Sequence, residues 1–516
     1  MKNNVLLLID LSKNYDKLES NKSYVYLNRG SINLENCNQI RLSQLKAIKK
    51  SSYNTFLNFL KETFSKKKEN EFFYNELEIM NLRIDRYNFI DRIINLISLK
   101  KLILKKKIKK LKIISDNVST LNIFDNLNLD IEKEDLSKKK ITYNFNKIKI
   151  IKFYVKTIIL LSYIKCMEKF EIIKKQGEFF ISIYPNYFSY GKNKFFEKEK
   201  NICNFLLTDE THLNASLIKL IKNVNTTKKK KILNLEQFIK YKDITNLVIN
   251  ILFSIKKHKN FFSNNAFIEG LDFRNEITDL YNVSLINRAK LEIYANAIPR
   301  FLTEFKVKKI NLYLFEYNFG FFLIRSIREF SKKIKIIGYQ HGIFSNQLTW
   351  FDFIKSAKSK NIYLPDNIFS SNKYSQIDYN SKLNKKIFLR SKGNYNQKFL
   401  NSISMKKKSN KVLVLPGTHD IKDIYYFIKN YYITSNNKVF YFKLHPKNKF
   451  YFNDEQKIKK IDNFLGNSFS DVIISQTSSL VYDFLISKKK FSVIDFDYRR
   501  NLVSTNLNNR INFIRC

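Results

Sequence analysis

Cysteine is scarce in these 516 residues, and the four present, Cys37, Cys166, Cys203 and Cys516, lie far apart. With no Cys-x-x-Cys pair and no Cys/His cluster at ligand spacing, a disulfide framework and a structural zinc site are excluded, and a reducing cytoplasm fits. Glycine (10) and proline (5) are also few, which rules out a fibrous or low-complexity chain. No run reaches the ~18 uninterrupted apolar residues of a membrane span. The nearest, Ile148 to Met167, is broken by Lys149, Lys152, Lys156 and Lys165. The apolar run Val5 to Ile9 is too short for a signal peptide and no small-residue cleavage site follows it, so it reads as a first buried strand. Neither Gly-x-Gly-x-x-Gly nor Gly-x-x-x-x-Gly-Lys-Ser/Thr occurs, which removes ordinary dinucleotide binding and P-loop ATP hydrolysis.

Carboxylates are outnumbered, 46 against 93 Lys and Arg, for a formal charge of +47. Such a charge attracts any polyanion and names none. The lysines are spread along the chain, commonly in pairs before apolar runs, and no alternation of Gly and aromatics marks an RNA-binding surface, so no specific nucleic acid is expected. Between Ile93 and Leu111, apolar residues fall near helical spacing while basic residues crowd Lys100 to Lys112. This segment reads as a surface helix with a solvated lysine face, or as one docked on an anionic inner membrane leaflet.

Hydrophobic residues make up 44% and aromatics 15%, enough for sizeable cores, and the length exceeds what one core usually supports. One unit recurs: one or two lysines, four to six apolar residues, then a turn. It appears at Lys110–Ser115, Lys309–Phe315, Lys335–Gly338, Lys411–Pro416, Lys438–Phe442, Asp471–Ser475 and Lys490–Ile494. Further strands are expected at Val5–Ile9, Glu178–Ile183 and Asn204–Leu207. Helical periods at 319–330, 421–432 and 480–487 alternate with these strands, which argues for an α/β chain of parallel βα units. The expected division is residues 1–395, Rossmann-like with helical insertions, and residues 396–516, a second Rossmann-like domain across a cleft.

Ligands of open α/β sheets sit beyond the carboxyl ends of the strands. There the sequence places Glu316-Tyr-Asn318, Gly338-Tyr-Gln-His-Gly342, Pro416-Gly-Thr-His-Asp420, Lys443-Leu-His-Pro446, Ser475-Gln-Thr-Ser-Ser479 and Asp495-Phe-Asp497. His341, His419 and His445 stand at such ends, while His212 and His258 read as structural or surface residues. Thr477, Ser478 and Ser479 precede a helical run, and hydroxyls with unpaired N–H groups at a helix start form an anion site suited to a nucleotide phosphate.

The spaced His445-Pro446 and Ser478-Ser479 resemble the His-Pro and Ser-Ser motifs of bacterial sialyltransferases, capsule Kdo transferases and CDP-glycerol glycerophosphotransferases. Gln340-His341-Gly342 is similar to an element of the CDP-glycerol enzymes whose His is a candidate base. The run from Leu314-Phe-Glu316 to Leu364-Pro-Asp366, with Phe267-Ile-Glu-Gly270 upstream, resembles surface carbohydrate biosynthesis proteins. The resemblance covers roughly residues 265 to 500 and implies a GT-B-like glycosyltransferase. His341 or Glu316 would be catalytic, and His445, Pro446, Thr477, Ser478, Ser479, Gly417, Thr418 and His419 would bind the donor. Its expected partners are a nucleotide-sugar, CMP-linked by preference, and a glycan or lipid-linked acceptor, with no cofactor and no metal. Transfer of an alditol phosphate from a CDP-alditol, and a catalytically silent carbohydrate- or membrane-binding protein, are the alternatives.

Overall fold

The computed structural model describes residues 5–10, 23–28, 38–40, 45–65, 84–136, 147–167, 177–182, 201–204, 217–229, 232–249, 267–275, 291–313, 315–316, 318–340, 363–370, 373–383, 387–389, 397–417, 420–433, 437–445, 450–496 and 511–515. Three parallel sheets organise them. The first contains β1 (Val5–Asp10), β2 (Ser23–Asn28), β3 (Asn38–Gln39), β4 (Lys110–Ser115) and β5 (Asp130–Asp135), in the order β3-β2-β1-β4-β5. The second contains β6 (Glu178–Ser182), β7 (Ile202–Asn204) and β8 (Leu233–Asn234). Beyond an antiparallel hairpin of β9 (Phe267–Ile268) and β10 (Leu271–Asp272) it adds β11 (Lys309–Tyr313), β12 (Lys335–Tyr339), β13 (Asn367–Ser370) and β14 (Ile387–Leu389). Its order is β14-β13-β12-β11-β6-β7-β8.

The third sheet follows β15 (Ser404–Met405). It comprises β16 (Lys411–Leu415), β17 (Val439–Phe442), β18 (Ile458–Lys460), β20 (Asp471–Ser475), β21 (Ser492–Asp495) and β22 (Asn512–Arg515), while β19 (Ser468–Phe469) pairs with β15. Its order, β18-β17-β16-β20-β21-β22, is doubly wound. In each sheet the first strand is central, the next two lie to one side and the fourth to the other. A topological switch point therefore falls between β1 and β4, between β6 and β11, and between β16 and β20. Residues 1–395, expected to hold one Rossmann-like domain, contain two of the three sheets, because the strands from Val5 and Lys110 pair with each other and not with Glu178–Ser182.

The helices are α1 (Lys46–Ser65), α2 (Ile84–Lys106), α3 (Val118–Asn122), α4 (Lys147–Cys166), α5 (Leu217–Lys229), α6 (Ala297–Glu304), α7 (Asn318–Phe330), α8 (Lys373–Leu383), α9 (Gln397–Asn401), α10 (Ile421–Phe427, continued by a π-helical turn to Tyr432) and α11 (Leu480–Ser487). The apolar positions of α2, including Ile93, Ile94, Leu96, Ile97, Leu102 and Ile103, face the large core with the sheets. The segment read as one helix from Ile93 to Leu111 ends at Lys106. Lys107 turns left-handed (φ 51°), and Ile108 and Leu111 enter the core from the turn and from β4. Lys101 is tied to Glu269 of the hairpin at 3.2 Å and to Thr55 of α1 at 3.0 Å. Most of the helix's apolar residues are thus packed against protein, while Leu104 is exposed.

Period-two alternation places β1 between two cores. Leu6 and Leu8 join the core beneath α2, while Leu7 and Ile9, with Ile114 of β4, pack with Val412, Val414, Ile424 and Phe440 of the third sheet and its helix. Leu400 and Ile403 belong to the other core of the third sheet, whose Tyr482 meets Tyr374 of α8 at 6.2 Å between ring centroids. No described helix is long and apolar enough to cross a membrane.

Under the second sheet, the buried Asp243 receives Arg300 of α6 (2.6 and 3.1 Å), Asn296 (3.0 Å) and the Lys240 N–H (2.8 Å). Burial alone raises its carboxyl pKa, but the Arg300 guanidinium and the other donors outweigh it and hold the pKa below the ordinary value. A depressed carboxyl stabilises the fold fully above its unfolded pKa and loses that contribution as pH falls through the folded one. Arg300→Ala is therefore expected to cost about 2–4 kcal/mol at neutral pH by leaving the carboxylate unpaired. In urea denaturation the wild type should lose this contribution, and the gap should narrow, as pH falls through the depressed folded-state pKa of Asp243.

Candidate functional site

The switch point of the third sheet gathers the polar ends of β16 and β20. Leu415 pairs with Ile474, so Pro416-Gly417 and Ser475-Gln476-Thr477 emerge side by side. At their centre is the carboxylate of Asp420, only 1% exposed, at the start of α10. Oδ1 accepts the Gly417 N–H at 3.0 Å, and Oδ2 accepts the Thr477 hydroxyl at 3.0 Å and the Ser475 hydroxyl. Ser475 Oγ also accepts the Thr477 N–H at 2.9 Å, a Ser turn that reverses the chain directly after β20. Gly417 is required here by close approach. A Cβ would lie 2.5 Å from Thr477 Oγ1 and 2.8 Å from Asp420 Oδ1. Gln476, fully buried, accepts the Phe496 N–H and so ties this turn to the chain leaving β21.

From that base α11 begins. Ser478 Oγ accepts the Leu480 N–H at 3.3 Å, and Ser479, exposed, is the residue before the helix. One strand away, His445 stands exposed three residues beyond β17, where the Lys443 N–H bonds Val414 O at 3.0 Å and the Lys443 ammonium reaches the Asp462 carbonyl. The structure therefore brings Gly417, Thr477, Ser478, Ser479 and His445 to the carboxyl edge of one sheet. Thr418, His419 and Pro446 lie outside the described residues. Thr477, expected as a donor contact, is buried with its hydroxyl on Asp420, so it braces the turn from below.

The acceptor-side candidates sit on the second sheet. Glu316 follows β11 and is 6% exposed. Its place depends on Gly320 in the first turn of α7, where a Cβ would meet the Phe315 carbonyl oxygen at 2.3 Å. At the end of the neighbouring β12, buried Gln340 accepts the Ser370 hydroxyl at 2.9 Å. His341, His212 and His258 lie outside the described residues. Asp495 ends β21, while Asp497 is not described. Among the described residues no three His, Cys, Asp or Glu side chains group as metal ligands.

Asp420 lies in the Pro416-Gly-Thr-His-Asp420 stretch, but its residue type alone does not set it apart from the chain's other acids. The available signal was an Asp immediately before a helix and three residues after a glycine. A second unanticipated carboxylate, Asp10, ends β1 at the first switch point. It pairs with Arg92 (2.8 Å) and accepts Thr120 (2.5 Å) and Ser115 (3.3 Å), the last residue of β4. Ser115 Oγ accepts the Asn117 N–H at 2.9 Å, the same turn that Ser475 makes with Thr477.

Asp420→Ala removes the shared acceptor of two buried hydroxyls and one N–H and is expected to cost about 2–4 kcal/mol. Ser475→Ala added to it should cost almost nothing more, whereas alone it should cost about 1 kcal/mol, a non-additivity that denaturant melts of the double-mutant cycle measure. Comparisons with protein-family models, with curated proteins and with solved structures return no match.

Proposed function

We propose that the chain is a GT-B-like glycosyltransferase that moves a sugar from a nucleotide-activated donor, a CMP-sugar by preference, to a growing cell-surface polysaccharide or lipopolysaccharide glycan. The observation that carries this reading is the third sheet. Its doubly wound strand order brings the Gly417 turn and the Ser478-Ser479 helix start together at the switch point, with the exposed His445 beyond the adjacent β17, and the sequence motifs of these residues resemble donor sites.

Each side chain has a task that fits its surroundings. Ser478 and Ser479 offer hydroxyls at the positive end of the α11 dipole, where a nucleotide phosphate is stabilised. His445 faces the same edge and supports the charge that builds on the leaving phosphate, an effect of the oxyanion-hole kind. Asp420, fully committed to Gly417, Ser475 and Thr477, touches no ligand and keeps the turn in shape before the nucleotide arrives. On the acceptor side, His341 or Glu316 takes the proton of the attacking hydroxyl, a contribution of roughly 100- to 10,000-fold. The bond between the donor's anomeric carbon and the phosphate oxygen breaks as the acceptor oxygen bonds to that carbon, and the nucleotide departs with the phosphate.

Calorimetric titration with CMP, CDP, UDP and GDP checks the donor site. Selective micromolar binding by the wild type, weakened about ten-fold or more (about 1.4 kcal/mol) by His445→Ala and by Ser479→Ala, is the expected result. Absence of binding by all four would remove the donor-site assignment and leave a carbohydrate-binding protein without turnover. With binding in place, a phosphodiester in the product instead of a sugar would point to alditol-phosphate transfer.

A further inference from the structure

Helix α4 is apolar on two sides, and only one of them is covered. Phe153, Tyr154, Thr157, Leu160, Leu161 and Ile164 face the core, and Tyr163 donates to Asn225 of α5 at 2.8 Å. Ile151, Val155, Ile158 and Ile159, spaced i, i+4, i+7 and i+8, form a second row that is 60%, 51%, 41% and 43% exposed. A row of β-branched side chains in water is unfavourable and marks a surface that meets something apolar.

The charges beside the row say what that is. The α4 sequence holds five lysines and that of α5 four, and neither contains an acidic residue. Around the helix, Lys152 and Lys156 fall on one flank of the row and Lys165 on the other, where its ammonium lies 4.1 Å from the centroid of the Tyr241 ring. Four side chains in a single row are far less than the roughly 800 Å² that each partner buries in a stable protein interface. They suit an interfacial helix instead, in which a narrow apolar stripe enters the boundary of the acyl chains while flanking lysines reach the headgroups.

We infer that α4 docks the protein on an anionic lipid surface, with Ile151, Val155, Ile158 and Ile159 inserted and the flanking Lys152 and Lys156 toward the lipid phosphates. Lysines near such a surface strengthen the attachment, and salt screens the attraction. This docking is independent of the transferase reading, since neither α4 nor α5 contributes to the nucleotide crevice.

The test is flotation of the full chain with phosphatidylcholine vesicles, with and without phosphatidylglycerol, for the wild type and the triple variant Ile151→Ser, Val155→Ser, Ile159→Ser. All three positions are exposed, and Leu465→Ser, at a residue 84% exposed in the third sheet's unit, is the control. The wild type and the control should float only with phosphatidylglycerol vesicles, and the triple variant, with its charge unchanged, should bind them at least about ten-fold more weakly. Equal binding of the triple variant would overturn the inference by showing diffuse charge attraction alone. So would binding to pure phosphatidylcholine, equal loss in the control, or a wild-type dimer on light scattering that the triple variant converts to monomer.

Discussion

Parallel pairing is the constraint on which the rest depends. Apart from the β9–β10 hairpin, every described strand pair is parallel, so each connection must cross over and each sheet must be covered on both faces. That requirement makes the strands short, apolar and β-branched, and it is why β1 serves two cores with alternate side chains. It also sends all strands of a sheet out at one edge. Polar residues excluded from the strands collect there, and the switch in strand order opens a gap between their loops.

What fills that gap recurs. A buried carboxylate stands at each switch point, Asp10, Glu316 and Asp420, between 1% and 6% exposed. Two of them are held by hydroxyls from the strand across the switch, and in both a serine at the strand end accepts the N–H two residues on. At the first switch point Arg92 neutralises the carboxylate, so the cluster is a closed structural knot. At the third, among the described residues, the acid is held by hydroxyls and an N–H, and the next residues, Ser478 and Ser479, rise toward solvent. The same local chemistry thus includes an ion pair in one sheet and hydroxyls with an N–H in another.

Much of this was legible in the sequence. Runs such as Val412–Leu415 and Val472–Ile474 announced their strands because a parallel core strand tolerates little besides apolar residues, and the helices from Asn318, Ile421 and Leu480 followed their periods. Pairing partners were not legible: nothing in Val5–Ile9 says that it joins Lys110–Ser115 and leaves Glu178–Ser182 to another sheet, since partner choice is set by crossovers. The lysine-rich segment after Ile93 misled because its leucines and isoleucines keep a helical rhythm through the left-handed turn at Lys107. Conversely, α4 is apolar on two sides between its lysines, so its sequence did not show that one row would stay in water. At the third switch point, Gly417 and Ser479 were singled out by position after a strand, but the carboxylate that accepts the Gly417 N–H was not, because burial decides which of many acids is structural.

The central claim is that the crevice between β16 and β20 holds a nucleotide. Hydrogen exchange of backbone amides, read by mass spectrometry with and without CMP, tests it most directly. The account predicts slowed exchange confined to the turn after β16, the segment around His445, and the turn from Ser475 into α11. Protection appearing instead around Asp10 and Asn117, or nowhere in the third sheet under conditions where nucleotide is bound, would contradict it.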